Sequence, residues 1–175
     1  MLIDILRQRR SIRQFQSTPV EPKKIDQLIE AALRAPSSRG RNPWEFIVVT
    51  DGNLLEKLGK AKQHGSDFLA RVPLAIVIVA DPQKCDVWVE DCSIAAIIVQ
   101  LMAVDLGLGS CWAQIRLRPH TTRCSAEDYI RELLDIPDKL VVECVIGIGY
   151  PAEQKEGHSQ DSLLINQVHR DRFSG

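Results

Sequence analysis

The feature that most constrains the fold is a helical pattern that is apolar on nearly every side. Residues 91–106 carry no charged side chain between Asp91 and Asp105. A helix of this kind must be covered around its whole circumference, because any open side exposes apolar surface to water. In a chain of 175 residues, the cover can come from the rest of one subunit or from a partner subunit. We expect an oligomer, in which a partner supplies part of it.

Strand and helix patterns alternate along the rest of the chain. The continuous apolar run over residues 73–80, bounded by prolines, predicts a central strand buried on both faces. Further strands are predicted at residues 44–50, 110–115 and 141–148, and helices at 1–13, 22–35, from Asn53 as a cap, and 125–135. About four strands and five or six helices indicate a layered α+β or α/β domain.

Length and charge exclude several classes of protein. The chain has 22 Lys and Arg against 23 Asp and Glu, a net charge of −1, which gives no global reason to bind nucleic acid or an anionic membrane. The N-terminus lacks the pattern of a signal peptide. The apolar runs at 74–80 and 94–99 are far shorter than the roughly 18 residues of a membrane span. We therefore expect one domain over residues 1–175, cytoplasmic, ending in a polar tail over 151–175.

The cysteines do not predict a metal site. There are five, an odd number, and none forms a CxxC pair, so they are interpreted as reduced, small buried side chains. His120 and Cys124 have a spacing that suits zinc, but no second pair accompanies them. We expect no bound metal.

A local basic cluster stands out in this neutral chain. Arginines occur at positions 7, 9, 10 and 13 with Ser11 between them, and no acid lies between Asp4 and Glu21. The guanidinium group is a planar fork of donors that matches phosphate and carboxylate oxygens. A solvated basic helix end would have the same composition. Both interpretations remain open at this stage.

Two other segments have the composition of ligand-binding loops. Residues 37–44 (SSRGRNPW) combine serine donors with a glycine that allows close backbone approach, although a helix-to-strand connection uses the same residues. Residues 107–112 (GLGSCW) are not a dinucleotide fingerprint, because the third glycine is missing and a helix precedes them. Acidic pairs such as Glu90-Asp91 occupy helix-start positions, where they need no catalytic explanation.

Four motifs in order resemble the FMN-dependent nitroreductase family. They are residues 9–13 (RRSIR), 35–38 (APSS) leading to 43–46 (PWEF), 107–112 (GLGSCW) and 147–153 (GIGYPAE). The resemblance covers residues 1–153. It implies a three-layer α+β sandwich with a mainly antiparallel central sheet, an intertwined homodimer with one FMN at each end of the interface, and a C-terminal tail extended over the partner.

The resemblance also implies roles for residues near the N-terminus and in the third strand. Arg9 and Ser11 match residues that hold the phosphate and ribityl chain of FMN, with Arg10 between them. Arg13 matches a basic residue beside flavin N1 and O2, where a cation offsets negative charge on the reduced ring. Gln114 and Ile115 match the segment whose backbone N–H groups approach flavin N5.

A second group of site residues is implied to come from the other subunit. Pro36, Ser37 and Ser38 match a loop that reaches across the interface to FMN. The chain departs from the family's pattern just after it, with Gly40 for a common Asn and Asn42 for a common Gln, and Arg39 or Arg41 is expected to replace the lost contact. The basic residues that commonly reach the phosphate after the last strand have no clear match in this chain. The candidates in the tail are Lys155, His158, Arg170 and Arg172.

The implied activity is hydride transfer from NADH or NADPH through FMN to an electron-poor small molecule, such as a nitroaromatic, a quinone or a free flavin. One site used in turn implies ping-pong kinetics, and the flavin carries the chemistry. Cys111 is expected to be a packing residue in a strand, not a nucleophile. The alternatives are a flavin-binding protein with another chemistry or a sensing role, and an anion- or nucleic-acid-binding module using the arginines at 7–13, 39, 41, 116, 118 and 123.

Overall fold

A computed structural model describes residues 1–173 of the chain. The part of the chain it describes contains four strands and five α-helices. In chain order they are α1 (Leu2–Gln8), α2 (Pro22–Leu33), β1 (Trp44–Val49), α3 (Gly52–Gly59), β2 (Leu74–Ala80), α4 (Trp88–Asp105), β3 (Gly109–Gln114), α5 (Ala126–Leu133) and β4 (Val141–Gly149). Short 3-10 turns connect some of them, including Asp67–Arg71.

The four strands form one sheet in the order β1-β2-β4-β3. Every neighbouring pair is antiparallel, which confirms the predicted α+β class with an antiparallel sheet. All seven residues of β2 are buried, as expected from its uninterrupted apolar run. The two edges of the sheet are β1 and β3.

Helices cover both faces of the sheet, so the predicted three layers are present. Alternate residues of β2 enter separate cores, because successive side chains of a strand point to opposite faces. One core lies between the sheet and α3, α5 and the turn Asp67–Arg71, and the other lies between the sheet and helices α2 and α4. The first contains Ala75, Val77 and Val79, and the second contains Ile76, Ile78 and Ala80.

A β-bulge interrupts the pairing of β2 with β4. Ile78 lies opposite Cys144 and Val79 lies opposite Val142, so Glu143 is an extra residue on β4. Bulges bend a strand and redirect a side chain, and they are common beside active sites. Here the bulge buries a glutamate in an otherwise apolar strand.

The helix α1 ends at Gln8, and the prediction of a helix over 1–13 is wrong beyond that point. Arg9 already has an extended conformation, with φ −56° and ψ 125°. Ile12 N–H then donates to the carbonyl of Ser110 at 3.0 Å. This bond to β3 draws the chain into an extended path along the sheet. A smaller correction concerns α3, whose cap is the Asp51 side chain, accepting from Leu54 N–H at 2.9 Å, and not Asn53.

Helix α4 keeps an open apolar side within one chain. It begins at Trp88, three residues before the predicted start, and seven of its 18 residues are buried. Ile94 and Ile97 remain 38% and 37% exposed. The single chain therefore does not cover this helix all round. None of the helices within residues 1–173 combines the length and apolarity needed to cross a membrane.

Candidate functional site

The basic segment 9–13 is attached to the outer edge of β3 at Ser110. Ser11 pairs with Ser110 in a parallel β-bridge, and Ile12 N–H donates to the carbonyl of Ser110. Gly109 lies directly beneath, where an added Cβ would approach the Ile12 side chain to 3.0 Å. The arginines are thus held against the sheet by backbone bonds, and their side chains are not needed for that attachment.

The first part of the tail fastens this segment from the other side. The carboxylate of Glu153 accepts from Arg13 N–H at 2.6 Å and from Gln14 N–H at 3.2 Å. Lys155 Nζ donates to that carboxylate and to the carbonyl of Ser11, both at 3.0 Å. Of the basic tail residues named above, Lys155 is therefore the one the structure brings to the segment. Glu153 ends the motif at residues 147–153, but no local sequence pattern indicates that its carboxylate binds the backbone of residues 13 and 14.

Acid should weaken this clamp. The N–H of Arg13, followed by Lys155, lowers the pKa of the Glu153 carboxyl. A group with a lowered folded pKa stabilises the fold above its unfolded pKa of about 4.3 and loses that contribution as the pH falls through the folded value.

We expect Glu153→Gln to lower the melting temperature at about pH 7, and we expect its difference in melting temperature from wild type to disappear below about pH 4. Circular dichroism melts across this range measure it. The control is Glu156→Gln, which changes an exposed neighbour and should melt at the same temperature as wild type. If Glu153→Gln still melts below wild type in acid, the clamp is contradicted.

Two arginines of the segment have free guanidinium groups. Within residues 1–173, the side chains of Arg9 and Arg13 form no ion pair and no hydrogen bond with the protein. Arg10 differs, because its guanidinium donates to the carbonyl of Glu156 in the tail. A guanidinium group without a protein partner has its donors available for phosphate or carboxylate oxygens.

The backbone N–H of Gln114 faces the open edge of the sheet. Ile115 N–H donates to the carbonyl of Glu143 at 3.3 Å, across the pairing with β4. Arg116 N–H donates to the same carbonyl at 3.0 Å, so the regular alternation of bonds ends at the bulge. Within β3, Ser110 accepts from Ile12 N–H on the outer edge of the sheet. Residues four apart in a strand face the same way, so Gln114 N–H points away from β4. Of the two residues predicted to offer an N–H donor to a ligand, Gln114 is free to do so and Ile115 is engaged within the sheet.

The side chain of Gln114 is turned inward into a polar network. Its Oε1 accepts from Trp112 Nε1 at 2.9 Å, and its Nε2 donates to the carbonyl of Arg116 at 3.1 Å. Close to them, Glu143 Oε2 accepts no hydrogen bond from the part of the chain that the structure describes, and it lies 4.0 Å from Arg116 Nε. Burial raises the pKa of the Glu143 carboxyl, and Arg116 and Gln114 offset this only in part. The guanidinium of Arg116 also lies 5.5 Å from the ring centre of Trp88. These contacts fix the end of β3.

The serine loop lies at the opposite edge of the sheet, before β1. Ser37 and Ser38 are half-buried, whereas Pro36 and the residues 39–42 are exposed. Both serines bind the buried carboxylate of Asp91 in the first turns of α4, with Ser37 Oγ donating to Asp91 Oδ2 at 2.7 Å. One chain therefore assembles the predicted site in two halves: Arg9, Arg10, Ser11, Arg13 and Gln114 along β3, and Pro36, Ser37, Ser38, Arg39 and Asn42 beyond β1.

The side chains that could bind a metal or act as thiol nucleophiles are the histidines, acids and cysteines. No group of three or more His, Cys, Asp or Glu side chains in residues 1–173 is arranged to hold a metal ion. All five cysteines are free, and only Cys124 is not fully buried. Burial raises the pKa of Cys92 to about 12, and it also raises the pKa of Cys111. Since the thiolate is the nucleophile, Cys111 is a packing residue, as expected.

The fold and the two half-sites define a class of protein: a three-layer α+β domain with a basic segment attached to one edge strand and a serine loop beyond the other. The model of the nitroreductase family matches residues 6–65 and 60–150. The chain belongs to the nitroreductase family, which confirms the predicted family and makes the protein an oxidoreductase by membership.

Individual relatives agree with this assignment. A protein of Archaeoglobus fulgidus, provisionally named NADH dehydrogenase/NAD(P)H nitroreductase, is 36% identical over 170 residues and is matched over 94% of both chains. The structure of an FMN-dependent nitroreductase from Clostridium difficile R20291 has 48% identity and a TM-score of 0.96, over 98% of this chain and 99% of that one. A Parabacteroides distasonis structure with a similar provisional name has 32% identity and a TM-score of 0.89, over 98% of each chain.

Proposed function

We propose that the protein is an FMN-dependent oxidoreductase that takes hydride from NADH or NADPH and passes it to a small electron-poor acceptor. The observation that carries the proposal is the edge of β3, where a segment is attached at Ser110 and an N–H points outward at Gln114. The segment carries two arginines, Arg9 and Arg13, whose side chains have no protein partner within residues 1–173. The name of the Clostridium difficile relative, which states FMN dependence, supports the choice of cofactor. Nitroaromatics, quinones and free flavins are the acceptor classes we propose.

The residues present fit FMN in charge and in spacing. Ser110, where the basic segment is attached, and Gln114 are four residues apart on β3, or about 13 Å along an extended strand. A ligand with an anionic group at one end and a polar ring at the other can use both positions. Because the guanidinium groups of Arg9 and Arg13 have no protein partner in the described chain, a phosphate or ring oxygen would satisfy them without breaking an existing ion pair.

Each residue of the edge would have a distinct task. Arg9, Arg10 and Ser11 would hold the phosphate and ribityl chain, and Arg13 would stabilise negative charge at the pyrimidine side of the ring. Gln114 N–H would face N5, its backbone fixed by the network below it. When bound, FMN supplies the hydride-accepting ring and the redox chemistry. Ile115 would act through packing, because its N–H is engaged.

We further propose a homodimer in which the loop 36–42 of one copy completes the FMN site of the other. The open side of α4 is one reason, since Ile94 and Ile97 are exposed in the single chain. A second reason is that apolar residues of α1 and of the tail are also exposed. They are Leu2, Ile3, Leu6, Leu163, Leu164, Ile165 and Val168, each at least 44% exposed. Such surfaces mark interaction sites, and the tail would cover the partner.

A charge on the open side of α4 should break the dimer. We expect wild type to have twice the chain mass of 19.6 kDa and Ile97→Glu to have the mass of one chain, because a carboxylate buried at an apolar interface is strongly unfavourable. Light scattering after gel filtration gives the mass directly.

The matched control for the dimer is Val48→Glu, which changes an apolar residue of the same 37% exposure on β1. It should stay dimeric. A dimeric Ile97→Glu protein, or a wild-type protein of single-chain mass, would show that α4 does not form the interface.

Steady-state kinetics test the proposed reaction. If donor and acceptor use the same face in turn, double-reciprocal plots at several fixed acceptor concentrations should be parallel. Intersecting lines would reject the alternating mechanism. Stable FMN binding with no turnover by either nicotinamide donor would reject the enzyme and favour a sensing role.

A further inference from the structure

A buried carboxylate on α4 holds the serine loop by several hydrogen bonds. Asp91 is only 3% exposed. It accepts from Ser37 Oγ at 2.7 Å, from Ser38 N–H at 3.1 and 3.2 Å, and from Cys85 Sγ at 3.7 Å. Ser37 Oγ itself accepts from Asn42 N–H at 2.9 Å, so the chain of bonds reaches the far end of the loop.

The conformation of the loop needs such a support. Arg39 and Asn42 have positive φ values of 55° and 46°, and Gly40 has φ 65°. For residues other than glycine this region is sparsely populated, and it persists only where the surroundings enforce it. Hydrogen bonds to a charged group are about twice as strong as neutral ones. Asp91 supplies bonds of this kind at the start of the loop, and further along the loop Arg41 forms an ion pair with Asp86 at 3.6 Å.

The position of Asp91 on α4 connects two parts of the proposed site. Ile94 and Ile97, on the open side of the helix, follow it by three and six residues. The helix that we propose to meet the partner subunit is thus the helix that carries the loop reaching into the partner's FMN site. A loop fastened to the interface helix keeps a fixed position when two copies associate.

We propose that Asp91 is a positioning residue that holds residues 37–42 in their ligand-binding conformation before FMN is bound. This inference rests on the proposed function, since it concerns the loop assigned to FMN. A general effect of negative charge at the helix N-terminus is a different explanation, and Glu90 separates the two: it lies in the same first turn but is exposed and makes no bond to the loop within residues 1–173.

The test compares Asp91→Ala, Asp91→Asn and the control Glu90→Gln, each without FMN and with FMN added. Trypsin reports the loop in the apoprotein, because it cleaves after Arg39 and Arg41, which are both exposed. Cleavage after the exposed Lys60 in the same digest reports general unfolding. Quenching of FMN fluorescence gives the dissociation constant of each variant.

We expect Asp91→Ala to be cleaved in the loop about tenfold faster than wild type and to bind FMN about tenfold more weakly, with cleavage at Lys60 unchanged. Asp91→Asn should recover part of both, since its carbonyl oxygen can still accept from Ser38 N–H. Glu90→Gln should match wild type. Loop cleavage and FMN affinity in Asp91→Ala within about twofold of wild type would overturn the proposal.

Two further results separate the possible failures. If Asp91→Ala is cleaved throughout the chain, it has unfolded, and Ser37→Ala is the variant to use. That substitution removes the Ser37 bonds to Asp91 and Asn42 and leaves α4 intact. Loop cleavage at the wild-type rate in Ser37→Ala then overturns the proposal. If wild type binds no FMN while the Asp91→Ala loop is cleaved faster, the proposed function fails and the holding role of Asp91 stands.

Discussion

Arg13→Ala is expected to bind FMN about 30-fold more weakly than wild type, a loss of about 2 kcal/mol. The guanidinium has no partner within the described chain, so the substitution removes a ligand contact and no internal one. The backbone bond from Arg13 N–H to Glu153 stays, and with it the path of the segment. The cation also stabilises charge on the reduced ring, so bleaching of the yellow absorbance by NADPH should slow at saturating FMN.

Arg123→Ala is the matched control, because it also removes an exposed arginine whose side chain has no partner in residues 1–173. It should bind FMN and be reduced as wild type is. Fluorescence titration and stopped-flow absorbance measure the two quantities. Wild-type affinity and wild-type reduction in Arg13→Ala would show that Arg13 does not contact the flavin.

Gly147→Val should lower the free energy of unfolding by about 3 kcal/mol. Gly147 lies in the buried centre of β4, where a Cβ would meet Phe68 at 2.8 Å, Leu69 at 2.9 Å and Val72 at 3.0 Å. Phe68 and Leu69 belong to the turn Asp67–Arg71 that packs on the sheet, and Val72 directly follows it, so the added volume must push the turn outward. For a chain of this length, the melting temperature should fall by about 10 °C.

The control for this substitution is Gly52→Ala at the start of α3, where a Cβ has nothing within 4 Å. Alanine favours the helix, and the variant should be as stable as wild type or slightly more stable. Urea unfolding gives both free energies. A Gly147→Val protein with wild-type stability would contradict the packing of this turn against β4.

The sheet and most helices could be predicted from the sequence because their signals are local. A short, uninterrupted apolar run such as that of β2 predicts a strand covered on both faces, and β2 is buried at every position. The end of α1 could not be predicted in this way. Arginines after Leu6 continue a good helix pattern, and only the hydrogen bond from Ile12 to Ser110, far along the chain, makes the extended path more favourable.

The candidate site depends even more on contacts between residues that are far apart in the sequence. The residues near β3 follow from family motifs, whereas the sequence around Asp91 indicates only an acid at the start of a helix. The burial of Asp91 depends on how the loop before β1 folds over α4. Glu143 had a visible signal, as the one charged residue in the apolar pattern of β4. The pattern alone predicts neither the bulge at Glu143 nor its neighbour Arg116, whose Nε lies 4.0 Å from Oε2.

The visible spectrum of the purified protein tests the central claim most directly. We predict a yellow protein that holds one FMN per chain, or takes it up when FMN is added, and whose absorbance is bleached by NADH or NADPH in the absence of oxygen. A colourless protein that fails to take up added FMN would contradict the account.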